Sequence, residues 1–350
     1  QIGGRRNIVI NGAMQVAQRA TSSTDIGGSS GYFTCDRWHM SPSGTAGRLT
    51  MTQDSSAPSG FANSIKLDCT TADTSIASSE FLLFTHKFEG QDVQSFAKGT
   101  SDAKQFSLSF YVKGNASATY VAELMDEDNS NRHVNKSFSV TTNWTRVELL
   151  FPADTTGTLD DDNALSLSLN IWLHAGSDFT SGSLQTTWGA LSQTSRAVGI
   201  SSFFSSTDNT FFITGVQLEV GNQATPFEHR SFGEELALCQ RYYYKLINDS
   251  DADSFATGSN NTTTTSEHSI IFAQTMRANP TAIETTGTAG DYKISTGGST
   301  TTCNAVPTFV RASFHTAYFR SNVSSGLTIG DASLLRAIGS DVYLAWSAEL

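Results

Sequence analysis

The chain has 350 residues, 38% of them hydrophobic, which suffices for the cores of about two domains and excludes wholesale disorder. Only 16% are charged and the net charge is −11, so counterion release favours neither nucleic acid nor an anionic membrane as a partner. Ser, Thr, Asn and Gly stand where Lys and Glu cover a usual enzyme, and such a surface hydrogen-bonds neutral polar ligands.

From Ile8 to about Glu228, short alternating segments separated by Gly, Ser, Asp and Asn predict a sandwich of antiparallel strands. Residues 64–69 turn Ile65, Leu67 and Cys69 inward, and the apolar run 80–88 is continuous enough for a central strand. In residues 105–114, Phe106, Leu108, Phe110 and Val112 point one way and Ser107, Ser109 and Tyr111 the other, so a slip of one residue would expose four large apolar groups. Tyr120, Ala122 and Leu124 continue the series, followed by Val147, Leu149 and Phe151. Leu165, Leu167, Leu169, Ile171 and Leu173 form the longest alternation. In the segment TFFITGVQLEV, Phe212, Thr214, Val216, Leu218 and Val220 are placed on the buried face, opposite Gln217 and Glu219. No helical period of adequate length lies between these strands, so the expected fold class is all-β: a jelly-roll β-sandwich over residues 1–230, then a short helix and a smaller C-terminal β domain.

The helix is assigned to residues 231–247. Ser231 and Glu234 have the spacing of a capping box, and Leu236, Cys239 and Tyr243 recur at intervals of three and four. Tyr242, Tyr243 and Tyr244 then put rings around much of that helix, which suits packing between domains or subunits. Residues 248–266, rich in Asp, Ser, Asn and Thr, read as an exposed linker opening the domain 248–350. Its expected strands are 269–274, 308–319 and 341–350, and Phe309, Phe314, Tyr318 and Phe319 supply a compact core or a subunit interface.

Cys35, Cys69, Cys239 and Cys303 form no CxxC or CxxH pair, which argues against zinc. They are free buried thiols or a disulfide framework, and a chain of this length needs no staples. No apolar run approaches the roughly 18 residues that cross a bilayer, and no charged n-region precedes an apolar one, so no membrane insertion is expected. A chain opening on Gln1 is expected to be a processed product or part of a longer one.

Several ordered motifs carry a family resemblance. They are the Asn11-Gly12 turn, Gln18-Arg19 and Asp36-Arg37-Trp38 near the start, SFYVKG, Trp144, GVQLE, PFE and ELALCQRYYY. In this order they resemble tailed-phage tail-fibre proteins built around a jelly roll similar to carbohydrate-binding modules. The resemblance implies a virion fibre, made in the host cytoplasm and forming a homotrimer with other tail or capsid proteins as partners. It also implies adhesion to a host surface glycan or protein. A tail fibre and a capsid-attached structural or decorating fibre both fit.

Catalysis has little to work with. The seven histidines show no i, i+4 pairing, no G-x-S-x-G elbow is present, and no glycine run cradles phosphate. A glycan depolymerase, the remote alternative, needs two carboxylates roughly 5–9.5 Å apart in a cleft. The acidic runs Asp126-Glu127-Asp128 and Asp160-Asp161-Asp162 read as solvated turns or calcium loops. Asp249, Asp251 and Asp253 open like a calcium loop but meet Ser254 where Gly is needed. We therefore expect no catalytic residue, no metal and no cofactor. For sugar stacking, Trp172 and Trp188 are the ligand-binding candidates, with a trimer contact as the alternative. Trp172 faces away from the sandwich core and Trp188 lies in a Ser, Thr and Gly-rich connection. Trp38 and Trp144 read as core or strand-edge anchors.

Overall fold

A computed structural model describes residues 5–251 and 253–350. They form two compact units, the first reaching Glu235 and the second spanning Leu236–Glu349. Both are β proteins, as the alternation predicts.

The first unit holds two six-stranded sheets. One runs Ser22–Ile26, Arg48–Asp54, Ser64–Thr71, Thr210–Val220, Phe106–Gly114 and Thr145–Phe151 in spatial order. The other runs Gly31–Tyr32, Trp38–Ser43, Phe81–Glu89, Leu165–Ala175, Ala118–Asp126 and Arg132–Val140. All pairings are antiparallel, and the chain crosses repeatedly between sheets, which is the jelly-roll pattern. Leu67, Phe110 and Ile213 from one sheet meet Phe84, Leu124 and Ile171 from the other in a single buried core. Each such side chain contributes roughly 1.5–3 kcal/mol by burial, so the inner faces hold the sandwich shut.

One face assignment needs correcting. The Thr210–Val220 strand bulges between Thr214 and Gln217, where Gly215 adopts a φ of +63°. The extra residue reverses the inward set, so Phe211 and Ile213 join the core with Val216 and Leu218, while Phe212 moves to the outer face. Alternation holds on both sides of the bulge, but the expected inward set is met only after it.

The opening and closing motifs meet at that bulge. Asn7 lies beside Val216 and Leu218: its Nδ2 donates to Val216 O at 3.1 Å, and its Oδ1 accepts from Leu218 N at 3.1 Å and Val9 N at 3.0 Å. Glu228 Oε2 accepts from the backbone N–H groups of Arg6 and Asn7, while Glu228 N donates to Gln217 Oε1 at 2.8 Å. Arg230 donates to the carbonyls of Val9 and Asn7 and pairs with Glu235 at 3.2 Å; Glu235 in turn accepts from Asn11 N. A Cβ on Gly12 would sit 2.1 Å from Val216 O, so this close approach requires glycine. Asn11 holds a φ of 59° and satisfies Val16 and Asp36, and Trp38 Nε1 donates to Asn11 O at 3.0 Å.

From residue 231 onward the structure departs from the pattern reading. The helix is Phe232–Gln240, closed at its start by the expected Ser231–Glu234 capping box, and it ends before the tyrosines. Tyr243–Ile247 is instead a strand paired with Tyr343–Ser347, because consecutive aromatics favour a pleated surface over a helix. Part of the expected linker is also a strand. Ser254–Asn260 lies at the centre of a seven-stranded sheet, flanked by Thr265–Ile271 and Ala332–Ala337. The expected single strand 308–319 is a hairpin of Thr308–Ala312 and Thr316–Asn322, and Phe314 in its turn is exposed. The core gathers Phe272, Tyr292, Phe319, Leu335 and Trp346.

Asn7→Ala is expected to destabilise the first unit by about 1–3 kcal/mol for each buried backbone group left unpaired. The check is a urea titration of the full chain, read as a lower midpoint at unchanged slope.

Candidate functional site

Trp172 does face away from the sandwich core, as its position in the Leu165–Ala175 strand requires, but it does not face solvent. It is 0% exposed, packed among Leu83, Val121, Phe179 and Ala197. The expectation of an open stacking platform is therefore corrected. The cover is the chain's own residues 176–202, which fold back across the outer face of the second sheet.

That strap is held by a buried carboxylate. Glu123 Oε2 accepts from Trp172 Nε1 at 3.1 Å and Asn170 Nδ2 at 3.0 Å. Arg196, from the strap, donates to both Glu123 oxygens, from Nε at 2.8 Å and Nη2 at 2.7 Å, and its guanidinium lies 4.6 Å from the Trp172 ring centre. The strap also pairs with the edge strand Arg132–Val140, through His133 with Gly189 and Asn135 with Gln185. Burial pushes the Glu123 carboxyl up, but the charge and hydrogen bonds of Arg196, helped by His133, outweigh it and bring it down to about 2.

Trp188 sits within the same strap and is half-buried. Its Nε1 donates to Pro152 O at 2.9 Å, Lys98 Nζ lies 5.0 Å from its ring centre and Phe106 lies 6.0 Å away. The two sequence-chosen tryptophans thus belong to different packing clusters and do not form one surface.

The acidic runs are mostly spent on local structure. Asp126 is buried rather than solvated. It pairs with Lys98, which also lies 3.2 Å from Asp154, and its Oδ1 accepts from Asp128 N and Asn129 N. Asp160, Asp161 and Asp162 are exposed. Asp253 accepts from Asp249 N and Ser250 N, and Asp251 pairs with Lys293 at 3.1 Å.

Half-exposed aromatic rings are found instead on the outer face of the first sheet. Trp144 lies 6.0 Å from Phe212, and Lys113 Nζ sits 5.3 Å from one and 4.5 Å from the other. Two residues along the Phe106–Gly114 strand from Lys113, roughly 7 Å away, Tyr111 contacts Phe61 at 5.4 Å. Phe61 in turn meets Phe227 at 5.0 Å. The bulge builds this stripe: with no Cβ, Gly215 leaves room for the Phe61 ring, whose tip would lie 2.7 Å from one. Of the charges nearby, Lys66 is matched with Asp68 at 2.7 Å and Arg146 with Glu148 at 2.5 Å, while Lys113 Nζ donates to Ser56 Oγ at 2.7 Å; the neighbouring Thr141, Asn143 and Thr145 are neutral. Sequence reasoning missed the stripe because Tyr111 comes from one strand and Trp144 from the connection leading into another, and Phe212 is outward only through the bulge.

Two open grooves are lined by hydroxyls and amides. One, of about 190 Å³ in the first unit, includes Asn115, Ser117, Ser201, Ser205 and Asn209. The other, of about 470 Å³ in the second, includes Thr257, Ser295, Ser299, Thr300 and Arg336. No carboxylate lines either groove. All four cysteines are buried.

No protein-family model matches the chain, and no curated protein matches it. Among solved structures it is similar to a CBM4 structure, at 10% identity, 60% of this chain, 98% of that one and a TM-score of 0.34. It is also similar to TmCBM61 in complex with β-1,4-galactotriose, at 10% identity, 62% of this chain, all of that one and a TM-score of 0.32. A third is the enzymatically active domain of bacteriophage CBA120 tailspike protein 4, at 13% identity, 61% of this chain, 21% of that one and a TM-score of 0.30. Likenesses at these scores carry no argument about function.

Because the Glu123 carboxyl titrates below its usual 4.5, its stabilisation is present above that pH and is lost as pH falls towards 2, on the order of 3 kcal/mol. Hydrogen exchange in residues 176–202, corrected for intrinsic rates, is expected to rise across that window before the sandwich core opens. At neutral pH, Arg196→Ala is expected to release the strap and cost about 3–5 kcal/mol by leaving Glu123 charged and unpaired. Unchanged protection in both experiments would show that the ion pair does not hold the strap.

Proposed function

We propose that the chain is a non-catalytic adhesion protein that binds neutral glycan through the outer face of its first sheet. The carrying observation is the stripe of half-exposed rings, Trp144, Tyr111 and Phe61, set among hydroxyl and amide side chains with Lys113 beside Trp144. Such rings stack on the apolar side of a sugar for about 0.5–1.5 kcal/mol each beyond burial, and short polar side chains read its hydroxyls.

The motif resemblance extends the proposal to a virion fibre, assembled as a homotrimer on tailed-phage particles, with a tail location as first choice. Weak single sites then suffice. Linking sites raises overall affinity by roughly 10²–10⁴ without a new contact. Trp188, whose ring is partly accessible, is retained as a second contact, while Trp172 acts by holding the strap and not by touching ligand.

A glycan array probed with the purified full chain tests the reading. Trp144→Ala and Tyr111→Ala are each expected to weaken retention about 2- to 12-fold per site while leaving the fold intact. Retention of no glycan at high valency would favour a purely structural fibre. Release of reducing ends from a bound polysaccharide would overturn the non-catalytic assignment.

A further inference from the structure

Three side chains far apart in sequence converge at one end of the first unit, where the loop after Ser64–Thr71 meets the end of Leu165–Ala175. Asp73, Glu80 and His174 are all buried, and one ligand atom from each lies within 4.8 Å of the others. His174 Nδ1 is 2.7 Å from Ser202 Oγ, so donation from that nitrogen leaves Nε2 as a lone pair. Nε2 faces Glu80 Oε2 at 3.7 Å, too long for a hydrogen bond, and neither atom has another partner despite being fully enclosed. Asp73 is held by Thr45 Oγ1 and Ala46 N, both at 2.8 Å to Oδ2. The cluster therefore presents two negative groups and an imidazole lone pair to one point, with no positive charge there.

We propose that this cluster binds a divalent transition-metal ion of the zinc class. Zinc takes nitrogen and carboxylate ligands at about 2.0–2.2 Å, which places neighbouring tetrahedral ligand atoms about 3.4 Å apart, close to the His174–Glu80 separation. An imidazole ligand disfavours calcium, whose sites are built from oxygen. Ser202 supplies the outer hydrogen bond that fixes a metal-bound imidazole, and water completes the fourth position. The intervening residues 74–79 are exposed, so the path for an ion is short. The site would tie the 73–80 loop to the far end of the strap, and it stands independently of the glycan reading.

Tag-free full chain, stripped with chelator and dialysed, is titrated with Zn²⁺, Co²⁺ and Ca²⁺ by calorimetry, with visible spectra for Co²⁺. One equivalent of zinc is expected, with a Co²⁺ d–d band of nitrogen and oxygen ligation and a perturbed His174 imidazole signal by NMR. Ser202→Ala should weaken zinc binding by about 10- to 100-fold, and Glu80→Gln or His174→Gln by more. Circular dichroism confirms that each variant is folded. If a variant fails to fold, the wild-type stoichiometry, Co²⁺ band and His174 shift decide alone. Uptake of calcium without zinc, zinc binding that leaves the His174 signal unmoved, or no uptake at all would overturn the site, the last leaving a proton-sharing His174–Glu80 pair.

Discussion

The clasp between the chain's opening segment and its closing strand is the constraint on which the first unit depends. Residues 5–9 belong to no strand ladder, so their backbone groups need other partners, and unpaired groups at such burial are costly. Asn7, Gln217, Glu228, Arg230 and Glu235 supply most of those partners and bond to one another, and Ile8 N donates to Leu218 O at 3.1 Å. This set seals one end of the sandwich, and Gly12 lets the opening turn press against the bulge. The opening and closing motifs are thus the two halves of one polar junction, which explains their chemistry without any ligand.

The same bulge decides what the outer face of the first sheet can do. By reversing the inward set it puts Phe212 outside, under Lys113 and Lys66, and the space above Gly215 admits Phe61. An aromatic strip bordered by hydroxyl and amide side chains, with the Lys113 ammonium over two of its rings, follows. The opposite outer face has the reverse fate: it carries Trp172, Asn170 and Glu123, residues chemically apt for a sugar, but the strap brings Arg196 to them and leaves no polar valence for a guest. Two outer faces with similar composition therefore divide into one that is sealed and one that is open.

The second unit shows how far polarity misleads. Ser254–Asn260 is polar enough to read as linker, yet Ala256 and Asn260 are buried and Asn260 Nδ2 donates to Thr296 Oγ1 and Thr328 O. Small hydroxyl and amide side chains can line a sheet interior when they hydrogen-bond across strands, as Ser266 does with Ser333 at 2.6 Å. A hydrophobic pattern is blind to that kind of core. The tyrosine triplet misled in the opposite direction, because its spacing fits a helix while its residue type favours a strand.

The sequence by itself determined the all-β class, the inward faces of Phe106–Gly114 and Leu165–Ala175, the capping box and the outward turn of Trp172, since each depends on neighbours along the chain. Tertiary structure alone decided that Trp172 is covered, that Phe211 and not Phe212 enters the core, and that Asp73, Glu80 and His174 share one point. The physical reason is that period-two alternation reports which side of a sheet a residue occupies, whereas exposure and clustering depend on which distant segment lies across that side. A returning loop or one extra residue in a strand changes those outcomes without altering local periodicity elsewhere.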